Sequence, residues 1–296
     1  MNRKTTRKRV CGLWAILAVV LVAPGCGRSK KPVVVGFKDT TVQAALGEVV
    51  AQHLDNRLGR RVERSFGLGN TPALYQALTN GQIGIYPEET GTIQATILKE
   101  SPSPDATSTL ERVRNEMRRI SQLEVLDPLG IDNGWALVVS KEEKLETISD
   151  AAHAKMGWKL GVTRDFSERN DGLSTLNQYR LPMPSPPRVS DIAALYADLA
   201  EGKLTMVAGN ATDGMLARHE NWKELRDDRK VFGAYQTCLL VRADLLANDA
   251  RILPALQELS GKMTNEIIRK MNAEVAIDHK SPADVAAKFL RDAGLK

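Results

Sequence analysis

The 296-residue sequence is poor in three kinds of residue that carry chemistry: it has 3 Cys, 4 His and 5% aromatic residues. Three cysteines, Cys11, Cys26 and Cys238, make no disulfide framework, and no intramolecular disulfide is expected. Cys238 opens the apolar run Cys238-Leu239-Leu240-Val241 and reads as a small core hydrophobe in a buried strand, not a nucleophile. His53, His153, His219 and His279 are scattered, without zinc-ligand spacing or a carboxylate partner in a motif. No metal and no cofactor are expected. The Gly-x-Ser-x-Gly elbow, the Walker loop and the dinucleotide fingerprint are all missing, so an enzyme is not expected. Turn chemistry explains Asp213 in Thr212-Asp213-Gly214 better than acid–base work. Beyond the first 25 residues no run reaches 18 apolar residues, so no further membrane span is expected.

Positive charge is also scarce once its position is considered. The formal charge is +5, and Arg3, Lys4, Arg7, Lys8 and Arg9 account for all of it. The neutral remainder argues against nucleic acid as a partner, because phosphate binding needs a basic stripe. The basic start is followed by the apolar stretch 11–23, CGLWAILAVVLVA. As a helix it would rise only ~20 Å, short of a hydrocarbon core of ~30 Å. It reads as the apolar region of a secretory signal peptide, residues 1–25. Ala23-Pro24-Gly25-Cys26 resembles a bacterial lipobox, which implies lipidation at Cys26 and membrane attachment through the lipid. Pro24 and Ala23 depart from that pattern, and an ordinary cleaved signal peptide is the alternative. Residues 26–32 read as a short polar tether.

The remaining chain alternates short apolar strands with helical patterns, which points to an α/β fold. Val33-Val34-Val35 reads as a strand. Thr41 to Leu58 reads as a helix stopped at Gly59, and Val62 to Phe66 as the next strand. Thr71-Pro72 reads as an N-cap and first helical residue, with a helix to Asn80 and a stop at Gly81. Ser281-Pro282-Ala283-Asp284 opens a last helix closed by Gly294. A weak repeat relates Ala73 to Ile83 with Ala194 to Leu204: helix, glycine, strand, then a polar loop. In that alignment Glu89 and Asn210 are equivalent. Two similar α/β lobes with loops at the C-terminal ends of their strands would form a cleft for a ligand, able to close by a hinge.

Several separated motifs keep order and spacing. Gly36-Phe37-Lys38-Asp39-Thr40-Thr41-Val42-Gln43, then Asn80 to Thr92 ending Tyr86-Pro87-Glu88-Glu89-Thr90-Gly91-Thr92, then Asp132 to Leu137, Phe166 to Gly172, Ala211 to Gly214, Tyr235-Gln236 and the tail from Ser281 to Leu295 follow one another. Together they resemble the substrate-binding proteins of glycine betaine/choline/carnitine (osmoprotectant) ABC transporters, over about residues 33–296. The resemblance implies a two-lobed periplasmic-binding-protein fold, type II-like, with two hinge crossovers. Lobe 1 would comprise 33–137 plus 236–296, and lobe 2 would comprise 138–235. It also implies an extracytoplasmic, lipid-anchored monomer that delivers a small zwitterionic or cationic solute to a separate permease and ATPase. A ligand-sensing receptor subunit would look the same in sequence.

The same resemblance implies the binding residues. Family ligands carry a quaternary ammonium, held on aromatic faces by cation–π attraction of ~0.5–2 kcal/mol per ring, and often a carboxylate, held by cations and a hydroxyl. Lys38, Thr92 and Arg169 match the carboxylate side, with Gln43 as an extra polar contact. Trp135 and Tyr235 match two of four aromatic cage positions. The other two hold Glu89 and Asn210, where the family has aromatic residues. A carboxylate facing a desolvated cleft needs a partner or a proton. Glu89 and Asn210 therefore point to an ammonium that donates hydrogen bonds, in an amino-acid-like zwitterion or a larger cationic solute. The alternative is that Glu89 pairs with Lys38 or Arg169 and the cage is simply degraded.

Overall fold

The computed structural model describes residues 1–2, 32–38, 40–101, 103–154, 156–218 and 220–296. The apolar leader with Cys11, the lipidation site Cys26, the tether up to Lys31, and also Asp39 and His219 lie outside the described residues. The chain divides into Met1–Lys31 and Pro32–Lys296, and the second unit carries everything that follows. None of the described helices is long and apolar enough to cross a membrane.

Among the described residues ten strands form two five-stranded sheets. They are β1 (Val34–Phe37), β2 (Glu63–Phe66), β3 (Ile85–Glu89), β4 (Leu123–Val125), β5 (Trp135–Ser140), β6 (Leu160–Val162), β7 (Arg188–Val189), β8 (Met206–Asn210), β9 (Trp222–Leu225) and β10 (Thr237–Arg242). The first sheet runs β2-β1-β3-β10-β4 and the second β7-β6-β8-β5-β9. In each, the first three strands are parallel and the fourth is antiparallel to its neighbours. The chain passes from the first sheet to the second between Val125 and Trp135 and returns between Leu225 and Thr237.

Local chemistry accounts for the helices. Thr40 caps helix Thr41–Leu58 by accepting from the Gln43 amide, and Gly59 ends it in the left-handed region at φ 63°. Leu46, Val49, Val50 and Leu54 from this helix are buried against the first sheet, together with Val285, Ala286 and Leu290 of helix Pro282–Asp292. Ser281 caps the latter helix by accepting from the Asp284 amide; the return bond to Asp284 comes from the Ser281 hydroxyl and not, as in a full capping box, from its backbone amide. Helix Thr71–Thr79 differs from expectation by one residue. Its cap is Asn70, which accepts from the Ala73 amide. The hydroxyl of Thr71 is thereby free for another partner, Glu88.

The sequence repeat has a structural counterpart. Helix Thr71–Thr79, Gly81 and β3 correspond to helix Ile192–Ala200, Gly202 and β8, with both glycines at positive φ (76° and 73°). The register is matched too: Glu89 ends β3 opposite Thr237, and Asn210 ends β8 opposite Trp135. The fourth strand of each sheet therefore starts beside the residue where the third strand enters its loop.

Candidate functional site

The expected binding residues sit where strands of the two sheets end. Lys38 follows β1, Glu89 ends β3, and Thr92 closes the single turn Thr90–Thr92. Gly91 makes that turn possible, since a Cβ there would lie 2.6 Å from the Tyr235 ring and 2.7 Å from the Ala234 carbonyl oxygen. Gln43 lies in the first turn of the helix capped by Thr40. Trp135 starts β5, Asn210 ends β8, and Tyr235 precedes β10. Arg169 is the first residue beyond the short helix Arg164–Glu168, with extended φ −79° and ψ 142°.

The eight fall into two sets, linked through the backbone where the Asn133 amide donates to the Tyr235 carbonyl at 3.0 Å. Lys38 Nζ donates to Glu88 Oε1 at 2.6 Å and stands 3.6 Å from Glu89 Oε2. The Thr71 hydroxyl donates to Glu88 Oε2 at 2.8 Å, and the Glu89 amide donates to Glu88 Oε1 at 3.1 Å. Glu89 Oε1 receives Asn133 Nδ2 at 3.2 Å and Gln43 Nε2 at 3.5 Å. Asn133 lies in the passage between the sheets. It accepts the Thr212 hydroxyl at 2.6 Å, and its carbonyl faces Asn210 Nδ2 at 3.5 Å. Asn133 thus links the first sheet to the loop after β8.

A second contact crosses at Arg169. Its Nη1 donates to the Thr92 hydroxyl at 3.5 Å, while Nε and Nη2 grip Asp171 in a bidentate pair at 2.8 and 2.5 Å. The guanidinium lies over Trp135, 5.0 Å from its centroid, and over Tyr235 at 5.7 Å. The two rings meet edge-on at 6.3 Å, and Phe166 packs edge-on to Trp135 at 5.0 Å. The Tyr235 hydroxyl donates to Asp171. Asp171 therefore positions both a cation and a ring.

Charge at the site is set by burial and pairing. Burial pushes the Glu88 carboxyl up to about 7; Lys38 opposes the shift and Glu89 adds to it. Burial also penalises ionised Glu89, but Lys38, Glu88, Asn133 and Arg169 outweigh it and hold its carboxyl at about 2. The Lys38 ammonium loses solvation, yet Glu88 and Glu89 raise its pKa above the usual value. Asp171 is likewise buried and held low by Arg169. The ionised form is thus favoured at Glu89 and the protonated form at Glu88. The closer partner of Lys38, however, is Glu88.

Glu88, Thr71, Asn133, Asp171 and Thr212 were not among the expected site residues. Glu88 and Asp171 lie inside the quoted motifs, next to nominated residues. Glu88 precedes Glu89 and Asp171 follows Arg169 by two residues, and a carboxylate in such a place was the available signal. Asn133 and Thr212 carry no such mark, because their roles depend on the two sheets meeting.

Comparison with known proteins agrees with this architecture. Residues 31–292 match the family described as the substrate binding domain of ABC-type glycine betaine transport system. The chain is 29% identical over 290 residues to the ergothioneine transport permease/ergothioneine binding protein EgtU of Helicobacter pylori (strain G27). That match covers 96% of this chain and 52% of the relative, so the chain spans about half the length of that protein. It is 26% identical over 280 residues to the carnitine transport binding protein OpuCC of Listeria monocytogenes serotype 1/2a (strain 10403S), covering 90% of this chain and 89% of the relative. A solved glycine betaine/carnitine/choline ABC transporter structure superposes with a TM-score of 0.80 at 25% identity, covering 89% of this chain and 99% of that one. The fold is the two-lobed α/β fold of periplasmic solute-binding proteins. With the family matched over nearly all of Pro32–Lys296, the chain belongs to the substrate-binding domains of ABC-type glycine betaine transport systems.

Proposed function

We propose that this chain is the solute-capturing component of an ABC importer of the osmoprotectant type. It takes a small cationic or zwitterionic solute between two lobes and delivers it, outside the cytoplasm, to a separate permease and its ATPase. In this reading the protein works as a monomer tethered by lipid at Cys26. Lobe 1 comprises 33–137 plus 236–296, and lobe 2 comprises 138–235. Lys38, Gln43, Glu89, Thr92, Trp135, Arg169, Asn210 and Tyr235 line the ligand.

One observation carries the reading. Residues from both sheets and both passages converge on a buried cluster of cations, carboxylates and rings, joined by Arg169–Thr92 on one side and Glu89–Asn133–Thr212 on the other. Such a cluster spans the meeting point of two bodies and offers partners for both signs of charge. The names of the relatives, which include ergothioneine, carnitine and glycine betaine, supply the solute class to test first.

The test is a thermal-shift panel on the full chain with glycine betaine, choline, carnitine, proline, ergothioneine, neutral and basic amino acids and polyamines. A solute at 100 times its Kd adds about 2.7 kcal/mol, a rise in Tm of roughly 5–10 °C for a chain of this size. A saturable rise with at least one small cation or zwitterion is expected. A flat response across the panel sinks the reading.

A further inference from the structure

Resting on that reading, we infer that the ligand's cationic head bears N–H groups: a primary or secondary ammonium, received by Glu89, Gln43 and Asn210. Four observations converge on this head group.

The first is the state of Glu89. Its Oε1 already receives two amides, from Asn133 and Gln43. Its Oε2 stands 3.6 Å from Lys38 Nζ, outside hydrogen-bond range, and the Glu88 carboxyl is a further neighbour of the Glu89 carboxylate. Lys38 spends its short bond on Glu88 instead. A carboxylate oxygen has more than one acceptor position, so Glu89 keeps room for an N–H of the ligand.

The second is Gln43. Its side chain is buried, and its Oε1 has no hydrogen-bond partner among the described residues. A buried acceptor left unmade costs on the order of 1–3 kcal/mol. The Gln43 amide nitrogen is committed to Glu89, so the orphan beside the carboxylate is again an acceptor.

The third is position. Asn210 occupies the register of Glu89 in the other sheet, and both reach Asn133. Asn210 Nδ2 faces the Asn133 carbonyl, which leaves Oδ1 as the acceptor. Two acceptors at equivalent strand ends flank the place where the two sheets are joined.

The fourth is what the rings already hold. A quaternary ammonium donates no hydrogen bond and depends on aromatic faces. Trp135 and Tyr235 present theirs to the Arg169 guanidinium, which Asp171 clamps in place. Lys38 and Arg169 are already matched by the carboxylates Glu89 and Asp171, with Glu88 pushed toward its protonated form. The acceptors are therefore what a ligand head must answer: one with N–H groups satisfies them, and a trimethylammonium does not.

Two methylation series test the inference at constant skeleton. One runs from glycine through sarcosine and dimethylglycine to glycine betaine, the other from ethanolamine to choline. Titration calorimetry on the full chain should show affinity falling along each series, with loss of the last N–H costing on the order of tenfold. Glu89→Gln, checked for unchanged Tm without ligand, should flatten that order, and Glu89→Tyr with Asn210→Tyr should invert it. Affinity that rises with each methyl, or a response confined to quaternary members, overturns the head-group inference and leaves solute capture standing. No response to any member of either series, nor to any other solute of the thermal-shift panel, overturns both.

Discussion

Glu88 is a wholly buried carboxyl in contact with a lysine, a threonine and a neighbouring amide. Burial raises it from 4.5 to about 7. Between those values the folded chain keeps a proton that the unfolded chain has released. The stabilising contribution is therefore complete below about pH 4.5 and is lost as pH rises through about 7. Glu88→Gln mimics the protonated form and should abolish this loss. Relative to the wild type, the variant should gain on the order of 2 kcal/mol between pH 5 and pH 8. Denaturant melts at the two pH values measure this, and parallel curves for the two proteins would refute it. The identity of Glu88 was plain in its motif, but its pairing was not. Sequence reasoning gave Glu89 to the ligand, with Lys38 or Arg169 as the alternative partner, and left Glu88 aside, because which of two adjacent carboxylates meets Lys38 depends on how β3 is placed beside β1.

Among the elements, helix Asn265–Ala276 does work that no motif announced. It follows β10 of the first sheet, yet it binds the loop after β8 of the second. Arg269 donates from Nε to the Ala211 carbonyl at 2.5 Å and pairs with Glu224 at 2.6 Å. Asn272 Nδ2 donates to the Thr212 carbonyl at 2.8 Å, and Arg218 pairs with Asp278 just past the helix. At the other end Asn265 and the Asp132 backbone exchange two bonds. Gly214 permits the close approach, since a Cβ there would lie 2.7 Å from the Ala273 nitrogen, which is backbone and cannot swing away. Gly214→Ala should therefore cost about 1–3 kcal/mol, read as a lower denaturant midpoint at unchanged slope. An unshifted midpoint would mean the helix is not seated against that loop. The bounds of helix Thr41–Leu58, by contrast, were legible, because its apolar spacing and glycine stop are local. Asn70 displaced Thr71 as a cap for a non-local reason: Glu88, 17 residues on, takes the threonine hydroxyl.

At the scale of the whole molecule, the polar contacts between the two sheets among the described residues include Arg169 to Thr92, Asn133 to its neighbours, and the strap of helix Asn265–Ala276. Bodies joined this way can move by a hinge in the two passages between the sheets. Ligand that contacts both bodies at once favours the closed arrangement by its differential affinity. Small-angle scattering should therefore show a smaller radius of gyration at saturation with whichever solute raises Tm. Arg169→Ala removes both the Thr92 contact and the cation over the rings. It should enlarge the unliganded protein and weaken the solute response by tenfold or more, roughly the loss expected for a buried charged pair. Unchanged scattering on saturation would exclude closure as the mechanism.

What was written into the sequence is what depends on neighbours along the chain. Strand and helix order, glycine stops and the internal repeat are of that kind, whereas Lys38, Glu89, Thr92, Trp135, Arg169, Asn210 and Tyr235 were marked by the resemblance of their motifs to a family. Periodicity and capping act over a few residues, and a duplicated unit leaves a duplicated pattern. Only the tertiary structure decided how those residues are engaged. Lys38 prefers Glu88 to Glu89, Asp171 holds Arg169 and Tyr235 together, and Asn133 links the first sheet to the loop after β8. Each of these depends on distances between segments tens of residues apart. Hydrogen bonds and buried ion pairs change sign or vanish over about an ångström, and no local pattern in a chain specifies distance at that scale.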